Sequence, residues 1–199
     1  MSDEVKLEVT VAAPAEDVRK ALRDKEKIRH WFGWDYEGLD QEIDMVFFSE
    51  VTEKGHTLSL HGGDLFELEP DGDGTRITLT RAPRGTSPEW DAYYDDITEG
   101  WITFLQQLKF ALERHPGEPR RTVFHAGAGP APDFGVSGET WFKSENQLGV
   151  VVPEWGDGLL IVGYNAAKDQ SMAVLTTYGL DDDAFRVLHE RWNTATPAQ

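Results

Sequence analysis

The stretch WDAYYDDITEGWITFLQQLKFAL, Trp90 to Leu112, decides how this chain is read. Its apolar residues are Trp90, Tyr93, Tyr94, Ile97, Trp101, Phe104, Leu105, Leu108 and Leu112. They recur at steps of three and four, which sets them along one stripe of a helix. Ser87-Pro88 supplies an N-cap and a first-turn proline, and His115-Pro116-Gly117 stops the helix. A helix this long, with aromatics along its stripe and Gly100 halfway, needs a broad concave surface. A curved sheet is the natural one. Where sheet and helix do not close on each other, the gap is an apolar pocket.

Strand patterns precede that helix. In Lys6–Val11, Leu7, Val9 and Val11 alternate with Lys6, Glu8 and Thr10, the mark of a half-buried strand. Pro14 opens a short helix through about Leu22, with Val18, Ala21 and Leu22 inward. A second short helix, Lys25 to Phe32, carries Ile28, Trp31 and Phe32 on one side and ends at Gly33. Glu37 to Val51 fits two patterns: Leu39, Ile43, Val46 and Phe47 suit a helix, whereas Ile43, Met45, Phe47, Ser49 and Val51 suit a strand. The surrounding strands favour the strand. Thr57–Leu60, Leu65–Leu68 and Thr75–Arg81 are clearer strands, the last two flanking the turn Asp71-Gly72-Asp73-Gly74. No bidentate Glu follows that turn at the spacing a calcium loop requires.

Beyond the long helix, residues 117–138 are rich in Gly and Pro and read as a linker. Strands are expected at Thr140–Lys143, Leu148–Val152, Leu159–Tyr164 and Met172–Tyr178. Gly179-Leu180-Asp181 then caps a helix, Asp182 to Trp192, whose inward face is Phe185, Leu188, His189 and Trp192. The expected division is a sheet-and-helix domain at 1–116, a linker, and an α+β extension at 139–199. A segment of that size is marginal alone, so packing onto the first domain is expected.

Composition excludes several roles. The 39% hydrophobic content, with seven Trp and ten Phe, supports a packed core rather than disorder. No apolar run is long enough to span a bilayer, and the N-terminus has no signal-peptide pattern, so a cytoplasmic protein is expected. The absence of cysteine removes disulfides, thiol catalysis and Cys-ligated metals. A formal net charge of −17 argues against nucleic acid and membrane surfaces as partners. Asp181-Asp182-Asp183 suits the start of a helix, not an acidic tail.

The order strand, two short helices, antiparallel strands and one long helix resembles the helix-grip plan of the START-like (SRPBCC) superfamily. "Val9-Thr10-Val11-Ala12-Ala13-Pro14-Ala15-Glu16-Asp17-Val18", then "Ala21-Leu22" and "Trp31-Phe32-Gly33", looks like that superfamily's opening. "Asp73-Gly74-Thr75-Arg76-Ile77-Thr78-Leu79-Thr80" resembles its last hairpin, and "Glu99-Gly100-Trp101…Leu105…Leu108" its long helix. The motifs are most similar to the subfamily named for the activator of the heat-shock-protein-90 ATPase, over about Val5 to His115. The resemblance implies an α+β helix-grip fold, a curved antiparallel sheet wrapped around a long helix. It implies diverse roles as well: hydrophobic-ligand binders, cyclases and aromatase-like enzymes, and chaperone regulators. Fold alone does not choose among them.

No catalytic constellation stands out. His30, His56, His61, His115, His125 and His189 have no metal-ligand spacing. His61 ends a strand and is a candidate base or ligand-orienting group, although a rim position in His61-Gly62-Gly63 is the simpler reading. Of Tyr93, Tyr94, Asp95 and Asp96, adjacent on a helix, only part can face inward; Tyr94 is the candidate hydrogen-bond donor. Ser137 lacks the spacing of a nucleophile elbow, and the glycines at 127–129 lack a nucleotide-binding context.

The functional expectation is binding of a hydrophobic small molecule between sheet and helix, without catalysis, cofactor or metal. Its lining would be drawn from Trp31, Trp34, Phe47, Leu60, His61, Phe66, Leu68, Ile77, Tyr94, Ile97, Trp101 and Phe104. A chaperone co-regulator ranks lower, because the resemblance gives that role to longer proteins with an additional N-terminal domain. A cyclase- or hydrolase-like enzyme would need an acid/base pair inside the pocket. A homodimer is compatible with any of these, since Val150–Val152 and Leu159–Val162 are more apolar than a one-sided strand requires. Cover within the chain is the commoner answer.

Overall fold

Strand order and register place the cores. The structure is a computed structural model that describes residues 4–85 and 91–196. The chain divides into two compact units: the chain up to Gly33 with Glu37–Gly117, and Trp34–Tyr36 with the chain from Glu118.

The first unit comprises β1 (Lys6–Val11), α1 (Ala15–Arg23), α2 (Lys25–Ile28), α3 (Leu39–Phe47), β2 (Thr52–Lys54), β3 (Thr57–Ser59), β4 (Leu65–Asp71), β5 (Gly74–Thr80) and α4 (Tyr94–Arg114). Its antiparallel sheet runs β1-β5-β4-β3-β2. Register aligns Val9, Ile77 and Leu68 in one cross-strand row, and Leu7, Leu79, Phe66 and Leu58 in the next. Residues two apart along a strand share a face, so both rows form the inner wall. The α4 stripe of Trp101, Leu105, Leu108 and Ala111 joins them in one core with α1 and α3. This is the α+β helix-grip plan. The hairpin before α4 turns at Gly72, whose φ of 61° suits the first central position of a primed turn. Gly74 is needed for a different reason: a Cβ there would lie 2.4 Å from the Val11 carbonyl oxygen.

One expectation changes in this unit. Glu37 to Val51 does not form a strand; Leu39–Phe47 is helical. The helix buries Leu39, Ile43 and Phe47, four residues apart, and leaves Met45 exposed, whereas a strand would set Met45 on the face of Ile43 and Phe47. The expected N-cap at Ser87-Pro88 and the first apolar residue, Trp90, lie outside the described residues.

The second unit comprises β6 (Arg120–Ala128), β7 (Thr140–Lys143), β8 (Gln147–Val152), a 3-10 turn at Pro153–Trp155, β9 (Gly158–Asn165), β10 (Gln170–Tyr178) and α5 (Asp182–Ala195). Its antiparallel sheet runs β6-β10-β9-β8-β7. That is the strand order of the first unit again, with the first strand beside the last. A terminal helix also closes it: Leu188 and Trp192 of α5 pack with Val123, Val152, Leu160 and Leu175.

Residues 120–128, read as part of a linker, are thus a nine-residue strand paired along its length with β10. The Gly/Pro-rich composition belongs to the loop that follows. Leu160 of β9 packs in this unit's core. Asp181 caps α5, accepting from the Ala184 amide at 2.8 Å. His189, expected inward, is exposed; Leu188 takes the inward position beside it. Among the described residues, no helix is long and apolar enough to cross a membrane.

Candidate functional site

Aromatic rings pack between the first unit's sheet and α4. Phe32 is the hub, 5.0 Å from Phe47, 4.8 Å from Phe104 and 5.8 Å from Trp31 between ring centroids. Trp101 meets Phe66 edge-on at 5.6 Å and Phe104 at 5.9 Å. Edge-to-face and tilted contacts at these separations are the favoured aromatic geometry. Leu60, Leu68 and Ile77 complete the aliphatic wall. Trp31 anchors its own end, its indole N–H donating to the Ala21 carbonyl at 2.9 Å.

At one edge the lining becomes polar. Asp64, just before β4, and Arg81, just after β5, are brought together by the Leu65–Thr80 register pair. Arg81 Nε donates to both Asp64 oxygens, at 3.1 and 3.0 Å. The Trp101 indole N–H donates to Asp64 Oδ2 at 2.9 Å, and the Ala82 amide to Oδ1 at 2.8 Å. Arg81 Nη1 donates to Thr98 Oγ1 and, at 3.3 Å, to the Tyr94 carbonyl. The Tyr94 hydroxyl donates to the Ala82 carbonyl at 3.0 Å, and the Arg81 and Arg84 guanidinium carbons lie 4.5 and 4.3 Å from its ring centroid. Each charged group therefore has opposite charge or dipoles against it, as burial demands. The Asp64 carboxylate thus accepts from Arg81, Trp101 and Ala82 together.

The expected lining residues divide. Trp31, Phe47, Leu60, Phe66, Leu68, Ile77 and Trp101 share the first core, and half-buried Ile97 and Phe104 pack against it. Tyr94 is buried in the polar edge. Trp34 belongs to the second unit, stacked on Phe124 at 3.8 Å. Gly33, at a φ of 62°, turns the chain away, and Asp35 and Thr122 then exchange hydrogen bonds of 2.6 and 2.7 Å. His61 stands on a surface turn, 42% exposed, with Nδ1 3.4 Å from Glu50. The sequence reading missed Phe32, Asp64, Arg81 and Thr98 as site residues. Only Phe32 carried a signal, its inward place beside Trp31. Gly100 does not mark a close approach: a Cβ there would touch only the Phe104 ring, at 3.7 and 3.9 Å.

In the second unit a cavity of about 10 Å³ lies between sheet and α5, bounded by Phe134, Trp155, Leu160, Leu175, Leu188 and Trp192. It holds about one water at most. Arg120 faces Tyr178 across β6 and β10. Burial pulls the Arg120 pKa down to about 10, opposed by Tyr178 and Asp35. Burial pushes the Tyr178 phenol up to about 12, against the pull of Arg120. Among the described residues no cluster of three His, Asp or Glu side chains is arranged for a metal.

No family model matches the chain, and no curated protein matches it. Solved structures do resemble it. The DynU16 protein of the dynemicin biosynthetic locus is 19% identical, with 98% of this chain and 96% of that chain aligned at a TM-score of 0.41. The Aha1 dimer from Colwellia psychrerythraea is 21% identical, covering 57% of this chain and 98% of that chain at 0.42. The di-domain ARO/CYC protein BexL of the BE-7585A biosynthetic pathway is 13% identical, covering 97% and 93% at 0.38. At such scores these likenesses carry no argument.

Proposed function

We propose that the first unit binds a hydrophobic small molecule between its sheet and α4, with the ring cluster as wall and the Asp64–Arg81–Trp101 junction as polar anchor. The junction carries this reading: an otherwise aromatic and aliphatic lining ends in one fixed carboxylate, one guanidinium and one indole N–H. Apolar walls with a few oriented polar groups are what a small-molecule site requires. Ile97, Gly100 and Phe104 follow at helical spacing on α4 and are half-buried, so this stripe is the mouth. A ligand enters as Phe104 swings outward. With its oxygens committed to Arg81, Trp101 and Ala82, the Asp64 carboxylate is not free to act as a base.

The test is native mass spectrometry of the purified full chain beside the same sample denatured. Expected is a non-covalent adduct of small-molecule mass, or one formed with added 2-naphthol, that disappears on denaturation. Gly100→Leu puts a side chain into the space beside Phe104 and should abolish the adduct while the protein stays folded, since Leu is the better helix former. A bare mass with no 2-naphthol uptake overturns the reading, as does an adduct that Gly100→Leu leaves intact.

A further inference from the structure

We propose that the outer edge of β1 pairs with the same edge of a second copy of this chain, antiparallel and centred on Leu7. β1 is the edge strand of its sheet, bonded to β5 on one side. Backbone groups alternate in direction along a strand, and the Arg81 amide donates to the Val5 carbonyl at 2.8 Å. Val5, Leu7 and Val9 therefore face β5, while Lys6, Glu8 and Thr10 turn their N–H and C=O groups outward. All three are exposed. α4 closes one end of this edge: Lys109 Nζ donates to the Thr10 carbonyl at 2.9 Å, and Glu113 accepts from the Ala12 amide at 2.7 Å. Among the described residues nothing bonds to the outward backbone groups of Lys6 and Glu8. Leu7 lies midway between them.

The other edge strands are guarded. β2 has three residues, and β7 has four with a bulge between Thr140 and Phe142. Along β6 the Thr122 amide donates to Asp35 at 2.7 Å, and the Phe124 carbonyl accepts from the Trp192 indole at 3.3 Å. β1 has six residues in unbroken register with β5.

Exposed charge on an edge guards it when like charges meet across the new pair. The charges of β1 are self-complementary instead. About a two-fold axis at Leu7, Lys6 stands opposite the partner's Glu8, and Glu8 opposite the partner's Lys6. Each of these pairs exchanges both backbone N–H···O bonds. The two copies of Leu7 meet in the wider-bonded position between them, with Cα atoms about 4.5 Å apart. Leu7 is half-buried at the margin of the first core, so this contact removes its remaining surface from water. Competing ion pairs within the chain are loose: Lys6 lies 3.4 Å from Glu4 and Glu8 lies 3.8 Å from Arg76, all at exposed side chains. The surface is β1, not the apolar runs of β8 and β9, and it does not rest on the function proposed above.

The test is sedimentation equilibrium of the full chain at rising concentration and physiological ionic strength. There the repulsion between two chains of net charge −17 is screened beyond about 8 Å. Expected is a monomer–dimer equilibrium. Lys6→Glu and Glu8→Lys each set like charges opposite one another, and each variant alone should dimerise on the order of tenfold more weakly. Mixing the two single variants restores opposite charges at both positions, and the mixture should associate within about threefold of the parent. A merely structural effect of either substitution would not be relieved by mixing. In the parent, amide hydrogen exchange at Lys6 and Glu8 should slow as concentration rises, while Leu7 and Val9, already bonded to β5, keep their rates. The proposal is overturned by a monomer at every concentration, by a dimer indifferent to the single reversals, by a mixture no tighter than either variant alone, or by exchange at Lys6 and Glu8 that ignores concentration.

Discussion

Asp64 joins the polar and aromatic chemistry of the first unit, and its neighbours state what losing it would do. Asp64→Asn keeps the shape and removes the charge, leaving the Arg81 guanidinium buried with no carboxylate. The expected loss is about 3 kcal/mol of unfolding free energy, read from the urea midpoint, together with a displaced Trp101 indole N–H resonance. Asp64→Asn paired with Arg81→Met should recover much of it, because the stranded charge is gone. Tyr178 makes a second residue-scale test. Its folded pKa, about 12, lies above the ordinary value of 10.0, so the folded state holds more protons between the two. Its contribution is intact below pH 10 and is lost as pH rises through the folded value. Buried Arg120 acts with the opposite sign over the same range, and it is present in both chains of the comparison. Tyr178→Phe should therefore gain stability relative to the parent between pH 8 and pH 11, measured as urea midpoints; equal differences at both would contradict it. At this scale the aromatic wall was legible, because Trp31, Phe66, Trp101 and Phe104 sit in periodic patterns. Asp64 and Arg81 were not, since charges at strand ends read as solvent-facing until the register sets them side by side.

The elements were legible in proportion to their length. α4 spans 21 residues and its stripe admits one period, so the helix and its buried Trp101, Leu105 and Leu108 follow directly from spacing. α3 has nine residues, and its run suits both periods until the exposure of Met45 decides between them. The strand β6 was hidden because its residues adjoin a Gly/Pro-rich loop and composition averages the two. Element-scale predictions follow from the helices. Gly100→Ala adds a Cβ that makes only ordinary contact with Phe104, and should stabilise the chain by up to about 1 kcal/mol through helix propensity. Asp181→Ala removes the cap on Ala184 and should cost about 1 kcal/mol. Thermal unfolding of the two variants beside the parent checks both signs.

For the whole molecule, the finding that sequence did not offer is the repeated strand order. Each unit sets its first strand beside its last and closes the sheet with its final helix. The repeat lies in topology rather than in residues: no counterpart of Glu99-Gly100-Trp101 recurs in α5, and the first unit's helices between β1 and β2 have no counterpart between β6 and β7. The expected extension is thus a second sheet-and-helix body with its own core. Net charge acts at this scale as well. With −17 on 199 residues, self-repulsion opposes the folded state, so added sodium chloride should raise the melting temperature between low and physiological ionic strength. A flat response would show the charges already balanced locally.

The central claim, that the first unit's ring-walled space admits an apolar guest anchored beside Asp64, meets its most direct test at the Trp101 indole. Its cross-peak, assigned with Trp101→Phe, is followed in nitrogen-15 spectra of the full chain as 2-naphthol is added. The predicted result is a saturable shift of the Trp101 indole N–H with the Trp192 indole unmoved. An unmoved Trp101, at concentrations where any other tryptophan shifts or where none does, would contradict it.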